Sequence, residues 1–475
     1  MGKIESMKRR IFLKNLVLVS GGLVLAGTEA RAVSAGKLIR GRVTGAGKRL
    51  AGVVVSDGFS VVRTDVKGRY ELPYNPAARF VFLSLPSGFE FPADNGIVRH
   101  YHVLDKSGGD YNFDLRPLTR DDSEHHFIVW ADPQVRDDRD VELMMTQSVP
   151  DVRHQVRELG AGALVHGLGV GDLVWDVHPL FASYNQAVAG MGIPFFQAMG
   201  NHDMDYEKGG DEVSDDTFEG HYGPTYYSFN RGKAHYVVLD DVRYLGKKRE
   251  YDGHISREQL DWLKLDLGQV PADHLIILAV HIPVHNSVKN NAELYAVLEP
   301  YKNVHIMSGH THYNRNVIRN GIYEHNHGTV CGAWWTGDIC TDGTPNGYGV
   351  YEVRGTELTW YYKGTGKDRN YQLSVHVEEL TNQRRLLANV WNHDPDWKVE
   401  WWADDRYQGV LAATDGYDPV AVARFRGDKL PARRAFAEPS RTQHLFMAHF
   451  GPAVQQVKVV ATDRFGNSYE QVVKV

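Results

Sequence analysis

Five apolar runs of strand length each end in a small cluster of polar residues, and this repeated junction restricts the fold more than any other feature of the chain. Residues 126–131 run into Asp132-Pro133-Gln134, and residues 163–170 into Gly171-Asp172. Gln197-Ala198-Met199 leads to Gly200-Asn201-His202-Asp203. Residues 275–280 end at His281, and residues 304–308 at Gly309-His310-Thr311-His312. Strands this continuously apolar are buried on both faces. Helical stretches lie between them, the clearest at 256–267, with Ser256 as N-cap and Leu260, Leu263 and Leu267 on one face. The pattern predicts an α/β core, in which ligands bind beyond the carboxyl ends of the strands. The five polar tips are therefore expected to meet at one edge.

The residue types at those tips suit a pair of divalent cations, which need hard oxygen donors, imidazoles and one carboxylate able to bridge. Asp172 is the expected bridge, and Gly171 beside it admits a close backbone approach. Asp132, Gln134 and His312 would complete one site; Asn201, His281 and His310 would complete the other. On an extended segment the two histidines of His310-Thr311-His312 share a face. Two cations about 3.5–4 Å apart clamp a phosphate and activate a water for in-line attack. His202 is then the expected proton donor to the leaving oxygen, with Asp203 orienting its ring. Trp175 and Asp176, just after Asp172, are candidates to line the cleft. Taken singly, an Asp after a strand is an ordinary cap and Gly-Asn-His-Asp an ordinary turn. Five such motifs in one order are not ordinary.

The rest of the 475 residues divides around this region. Residues 1–32 carry a basic start with Arg9-Arg10, an apolar stretch too short to span a bilayer, and Ala30-Arg31-Ala32 as a small-residue cleavage site. They read as an export signal, of the twin-arginine kind or of the ordinary secretory kind, which places the chain in the periplasm or outside a bacterial cell. Residues 36–117 show short alternating strands between Gly- and Asp-rich turns, the pattern of a small β-sandwich. Residues 124–363 hold the polar tips. Residues 370–475 return to strands and read as a second sandwich. A net charge of −6 excludes the basic footprint of a nucleic-acid binder, and no transmembrane anchor is expected in the mature chain. Two cysteines, Cys331 and Cys340, exclude a disulfide-dependent scaffold and leave a single bridge open. Oligomeric state is not readable.

The motif series, over residues 124–363, resembles the calcineurin-like metallophosphoesterase superfamily, whose pattern is D-x-H, G-D, G-N-H-D/E, H and G-H-x-H. The departure is Gln134, where most members carry His; a bacterial subgroup and an animal relative similarly read Asp-Pro-Gln. A glutamine carbonyl is a harder, weaker donor than imidazole, so that site should favour Mn, Mg or Fe over Zn. The resemblance implies a four-layer α/β/β/α core, two divalent metal ions (Mn, Fe, Mg or Zn) and hydrolysis of phosphate mono- or diesters. Residues 52–70 resemble carboxypeptidase-regulatory-like and Cna-B-like sandwich modules. Residues 328–335 and 342–348 resemble the loop of the subgroup with dedicated N- and C-terminal β domains. That loop would overhang the metal site, making Trp334, Trp335 and Asn346 candidate substrate contacts, against the alternative of a packed structural loop. The competing functional reading is an inactive core whose β-sandwiches bind a surface or glycan.

Overall fold

The structure is a computed structural model and describes residues 37–105 and 109–475; the expected export signal, 1–32, lies outside the described residues. Among the described residues no helix is long and apolar enough to cross a membrane.

Two sheets pack face to face in the middle of the molecule. The first has seven strands in the order Glu357–Gly364, Gly347–Arg354, Glu124–Trp130, Val165–Val170, Phe195–Ala198, Ile97–Val98, Ala93–Asp94. The second has six, in the order Tyr227–Arg231, Ala234–Val238, Leu275–Ala279, Val304–Ser308, Ile322–Asn326, Arg315–Arg319. Both are parallel at their centres, so the carboxyl ends of neighbouring strands lie on the same edge. Aromatic rings fill the space between the sheets: Phe196 stacks on Phe229 at 3.5 Å, and Phe127 meets Tyr236 edge-on at 5.5 Å. Such pairs add directionality to apolar burial.

Helices cover the outer faces and complete four layers. Helices Val149–Glu158 and Phe181–Met191 lie over the first sheet, where Tyr184 packs on Trp130 at 6.2 Å. Helix Arg257–Leu267 belongs to the other side of the core. The Ser256 hydroxyl accepts the Gln259 N–H at its start, satisfying a donor the helix itself leaves open, and Leu260, Leu263 and Leu267 are buried.

The N-terminal region forms two four-stranded sheets, one built around Leu38–Gly45, the other ordered Val61–Arg63, Val54–Ser56, Phe80–Ser84, Tyr101–Val103. It does not keep a core of its own. Ile97 pairs with Phe195, extending the seven-stranded sheet, and Phe91 packs against Phe196 and Phe229 at 4.9 and 5.4 Å. One continuous apolar cluster therefore runs from Ile39 to Tyr361.

The C-terminal region does have its own cluster, around Leu386, Val399, Trp401 and Phe446, between two antiparallel four-stranded sheets. Its topology is interrupted between Ala412–Tyr417 and Arg441–Phe450 by helix Pro419–Arg426. Asp418 caps this helix and Pro419 occupies its first turn. Ala421 and Phe425 pack on Ala333 and Ile339. The C-terminal region thus reaches back to the loop that follows His312.

Candidate metal centre

The five strand tips meet, three from the first sheet and two from the second. His281 Nε2 lies 3.3 Å from Asp172 Oδ1, 3.1 Å from Asn201 Oδ1 and 3.1 Å from His310 Nδ1. One ligand atom each from Asp172, His281 and His310 fall within 4.8 Å of one another. On the other side, His312 Nε2 is 3.8 Å from Asp132 Oδ1, and the Gln134 amide donates to Asp172 Oδ2 at 3.1 Å. Asp172 therefore touches both groups. All of these side chains are buried except His310, which is partly exposed.

Ring orientation is fixed from behind. His281 Nδ1 donates to the Val170 carbonyl at 2.9 Å and His312 Nδ1 to the Gly332 carbonyl at 2.8 Å. Each bond sets the tautomer that frees Nε2 toward the cluster. The backbone is contorted to bring the groups together. Asp132, Gln134, Asp172, His310 and His312 all have left-handed φ, between 41° and 72°. For non-glycine residues this costs energy and concentrates at functional sites. Glycines permit the approach: a Cβ on Gly309 would sit 2.4 Å from Asp132 Oδ2, and one on Gly171 2.5 Å from His281 Nδ1.

Electrostatics favour a cation. Burial pushes Asp132 up to about 8, and the Asp172 charge adds to this against the pull of His281. At His281 burial works against a proton, yet Asp172 and Asp132 raise it to about 10, a pull on positive charge that a cation at Nε2 would satisfy in the proton's place. Burial lowers His310 to about 3 and His312 to about 4, so both imidazoles are neutral. The Gln134 Oε1 is buried and has no hydrogen-bond partner among the described residues. A buried carbonyl oxygen without a partner is costly unless something else takes it. Crowded carboxylates, neutral imidazoles and one free carbonyl make a donor set that fits divalent ions.

His202 sits beside this cluster, but not with the partner expected of it. The Asp203 carboxylate accepts the backbone N–H groups of Gly200, Leu173 and Val174 at 2.9, 3.2 and 3.1 Å. It faces away from the imidazole and pins two loops together. Asp176 takes the orienting position instead, with Oδ1 at 2.9 Å from His202 Nδ1, and Arg249 pairs with its other oxygen.

Three family models match the chain: the N terminal of calcineurin-like phosphoesterase over residues 37–118, calcineurin-like phosphoesterase over 164–314, and the C terminal of calcineurin-like phosphoesterase over 324–469. The chain belongs to the calcineurin-like phosphoesterases. It is of the type with dedicated N- and C-terminal domains, and it is a phosphoester hydrolase. The core match begins after Asp132 and Gln134, the stretch where the sequence departs from the common motif. No curated protein matches it. Similar solved structures include a dimetal phosphatase from Danio rerio (13% identity, 50% of this chain and 96% of that one, TM-score 0.40). A purple acid phosphatase from yellow lupin seeds aligns at 12% identity, over 66% of this chain and 67% of that one, with TM-score 0.39. PhoD aligns at 11% over 90% and 85%, with TM-score 0.36. At these scores the alignments carry no argument about substrate.

In this calcineurin-like phosphoesterase the loop after His312 divides the expected substrate contacts. Trp334 stacks on the His312 ring at 4.2 Å and is partly exposed. Trp335 is buried, its indole N–H donating to the Pro133 carbonyl at 2.8 Å, and the Asn346 amide donates to the Val330 carbonyl at 3.1 Å. Both are buried and use these donors to hold the loop, which leaves Trp334 as the partly exposed member of the three. Cys331 and Cys340 are buried free thiols, and the bridge left open by the sequence does not form.

Sequence reasoning missed Arg433, Arg434 and Phe436 of the C-terminal insertion. Arg434 forms a bidentate pair with the buried Asp140 and donates to the Trp334 carbonyl; Arg433 pairs with Asp137. Phe436 packs on Trp334 at 5.1 Å and on Trp175 at 5.9 Å. The available signal was Asp418-Pro419, a cap followed by a first-turn proline inside a region otherwise read as strands.

Proposed function

We propose that this phosphoesterase is exported and hydrolyses phosphate mono- or diesters with two divalent ions. Asp132, Gln134, Asp172 and His312 would hold one ion, and Asp172, Asn201, His281 and His310 the other. When bound, the ions supply Lewis acidity toward the phosphoryl group and make water more acidic. The chain's own residues do the rest. Asp172 keeps the two half-sites in register, and the Val170 and Gly332 carbonyls hold His281 and His312 with Nε2 presented inward. Asp176 fixes the His202 ring through Nδ1. His202 Nε2 is left to give its proton to the leaving oxygen as the ester P–O bond breaks and a water oxygen joins phosphorus.

The observation that carries this reading is Asp172, one carboxylate shared between the Gln134 amide at 3.1 Å and His281 Nε2 at 3.3 Å. Export rests on the Arg9-Arg10 segment and its cleavage-site pattern. The test is protein loaded with Mn²⁺ and assayed against nitrophenyl phosphate and bis-nitrophenyl phosphate. Turnover of at least one, lost in Asp172→Asn, is expected. Turnover of neither with any divalent metal, while glycan or protein binding persists, sinks the enzyme mechanism and leaves a binding module.

A further inference from the structure

Three aromatic rings gather beside the metal centre and none of the steps above uses them. Trp175 meets the His202 ring edge-on at 5.6 Å, and Trp334 lies over His312 at 4.2 Å. Phe436 contacts both indoles. The three come from separate segments: the loop after strand Val165–Val170, the loop after His312, and the insertion in the C-terminal region.

Phe436 is not a packing residue of the usual kind. It is 55% exposed, although burying a phenyl ring is among the larger apolar gains a chain can make. Its backbone is nonetheless held firmly. Arg434, two residues before it, has only 6% of its side chain exposed, pairs with Asp140 and donates to the Trp334 carbonyl. Arg434 also sits 5.1 Å from the Trp175 ring, and Arg136 lies 5.0 Å from the same ring. Arg434 is neutralised by Asp140, so the apolar floor carries one exposed guanidinium, that of Arg136, at its Trp175 side.

We propose that Phe436, with Trp334 and Trp175, forms a subsite for a planar aromatic leaving group on the phosphate ester, and that Phe436 sets specificity. This rests on the phosphoesterase mechanism above. There, His202 protonates the leaving oxygen, and Trp175 is the ring in contact with His202. A substituent carried on that oxygen runs out across Trp175 and meets the exposed face of Phe436. Stacking on such faces tolerates many ring types, since it reads a π surface rather than a hydrogen-bond pattern.

The test compares benzyl phosphate with cyclohexylmethyl phosphate on the metal-loaded enzyme. Both release a primary alcohol of similar size, and only one carries a flat ring. Wild type is expected to favour benzyl phosphate by about three- to tenfold in kcat/KM, the range of one aromatic pair. In Phe436→Ala and in Phe436→Leu the ratio should fall to near one, through a rise in KM for benzyl phosphate. Benzylphosphonate should perturb tryptophan fluorescence in wild type more than methylphosphonate does. Equal kcat/KM for the two esters in wild type, or a ratio that survives both substitutions, overturns the subsite and leaves the phosphoesterase mechanism standing. Turnover of neither ester overturns the subsite; the phosphoesterase mechanism falls with it only where nitrophenyl phosphate and bis-nitrophenyl phosphate are not turned over either.

Discussion

Asp176 Oδ1 lies 2.9 Å from His202 Nδ1, and the Asp176 N–H returns a 3.0 Å bond to the His202 carbonyl. The pair is closed from both ends, and it places a carboxylate against Nδ1 of the imidazole. His202→Ala should lower kcat by about 10²–10⁴, the usual worth of general acid catalysis, while metal content is kept. Asp176→Asn should cost about 10–100-fold, as loss of a residue that orients another. Metal analysis beside steady-state kinetics checks both. A fully active His202→Ala protein contradicts the acid assignment.

Asp203 should behave as a structural residue. Removing its carboxylate leaves the N–H groups of Gly200, Leu173 and Val174 without their acceptor. Each buried donor left open costs about 1–3 kcal/mol. Asp203→Ala should therefore lower the urea midpoint strongly. If it instead leaves stability intact and removes only turnover, the assignment of roles to Asp176 and Asp203 is reversed.

In the proposed centre the buried, unpartnered Gln134 Oε1 would set metal preference. A Gln134→His protein, exposed to equal Mn²⁺ and Zn²⁺, should retain more Zn than wild type, because imidazole is the softer donor. An unchanged Mn to Zn ratio counts against a ligating role for Gln134.

The Arg434–Asp140 pair should be worth most when only one partner is removed. Both side chains are buried, 6% and 0% exposed. Arg434→Ala or Asp140→Ala strands a buried charge, at about 3–5 kcal/mol. The double variant should cost clearly less than the sum, which urea denaturation of the four proteins resolves. Simple additivity would mean that the two residues are not coupled.

Buried histidines away from the centre make the fold acid-sensitive. Burial holds His100, His125 and His305 at about 3, well below the unfolded value near 6.5. Below about pH 6.5 the unfolded chain takes up protons that the folded chain refuses. Stability therefore falls as pH drops from about 6.5 toward 3, by up to about 1.4 kcal/mol per pH unit for each histidine. His100 Nδ1 has no hydrogen-bond partner among the described residues, and its ring packs on Tyr227 at 4.4 Å. His100→Phe should thus flatten the pH dependence by one histidine's share. Parallel stability curves between pH 7 and 5 would contradict this.

The core and the cluster of Asp132, Asp172, Asn201, His281, His310 and His312 were legible in the sequence for one physical reason. Apolar strands buried on both faces have few ways to end, and a polar group at each end marks the edge where a ligand sits. What was not legible involves contacts set by tertiary placement. His202 and Asp203 are adjacent in sequence and face opposite ways, whereas Asp176 reaches His202 by turning through φ 55°. Arg434 and Asp140 are 294 residues apart, and no local pattern in either segment announces the other. Trp334 and Trp335 look equivalent in sequence; one hydrogen bond to Pro133 buries the second and leaves the first at the cleft.

The most direct test of the account is metal stoichiometry. Wild-type protein reconstituted with Mn²⁺ and freed of excess should hold two ions per chain. Asp172→Asn, which removes the shared charge, should hold fewer than one. A wild-type protein that saturates at one ion or none, or an Asp172→Asn protein that still holds two, would contradict a centre built around Asp172.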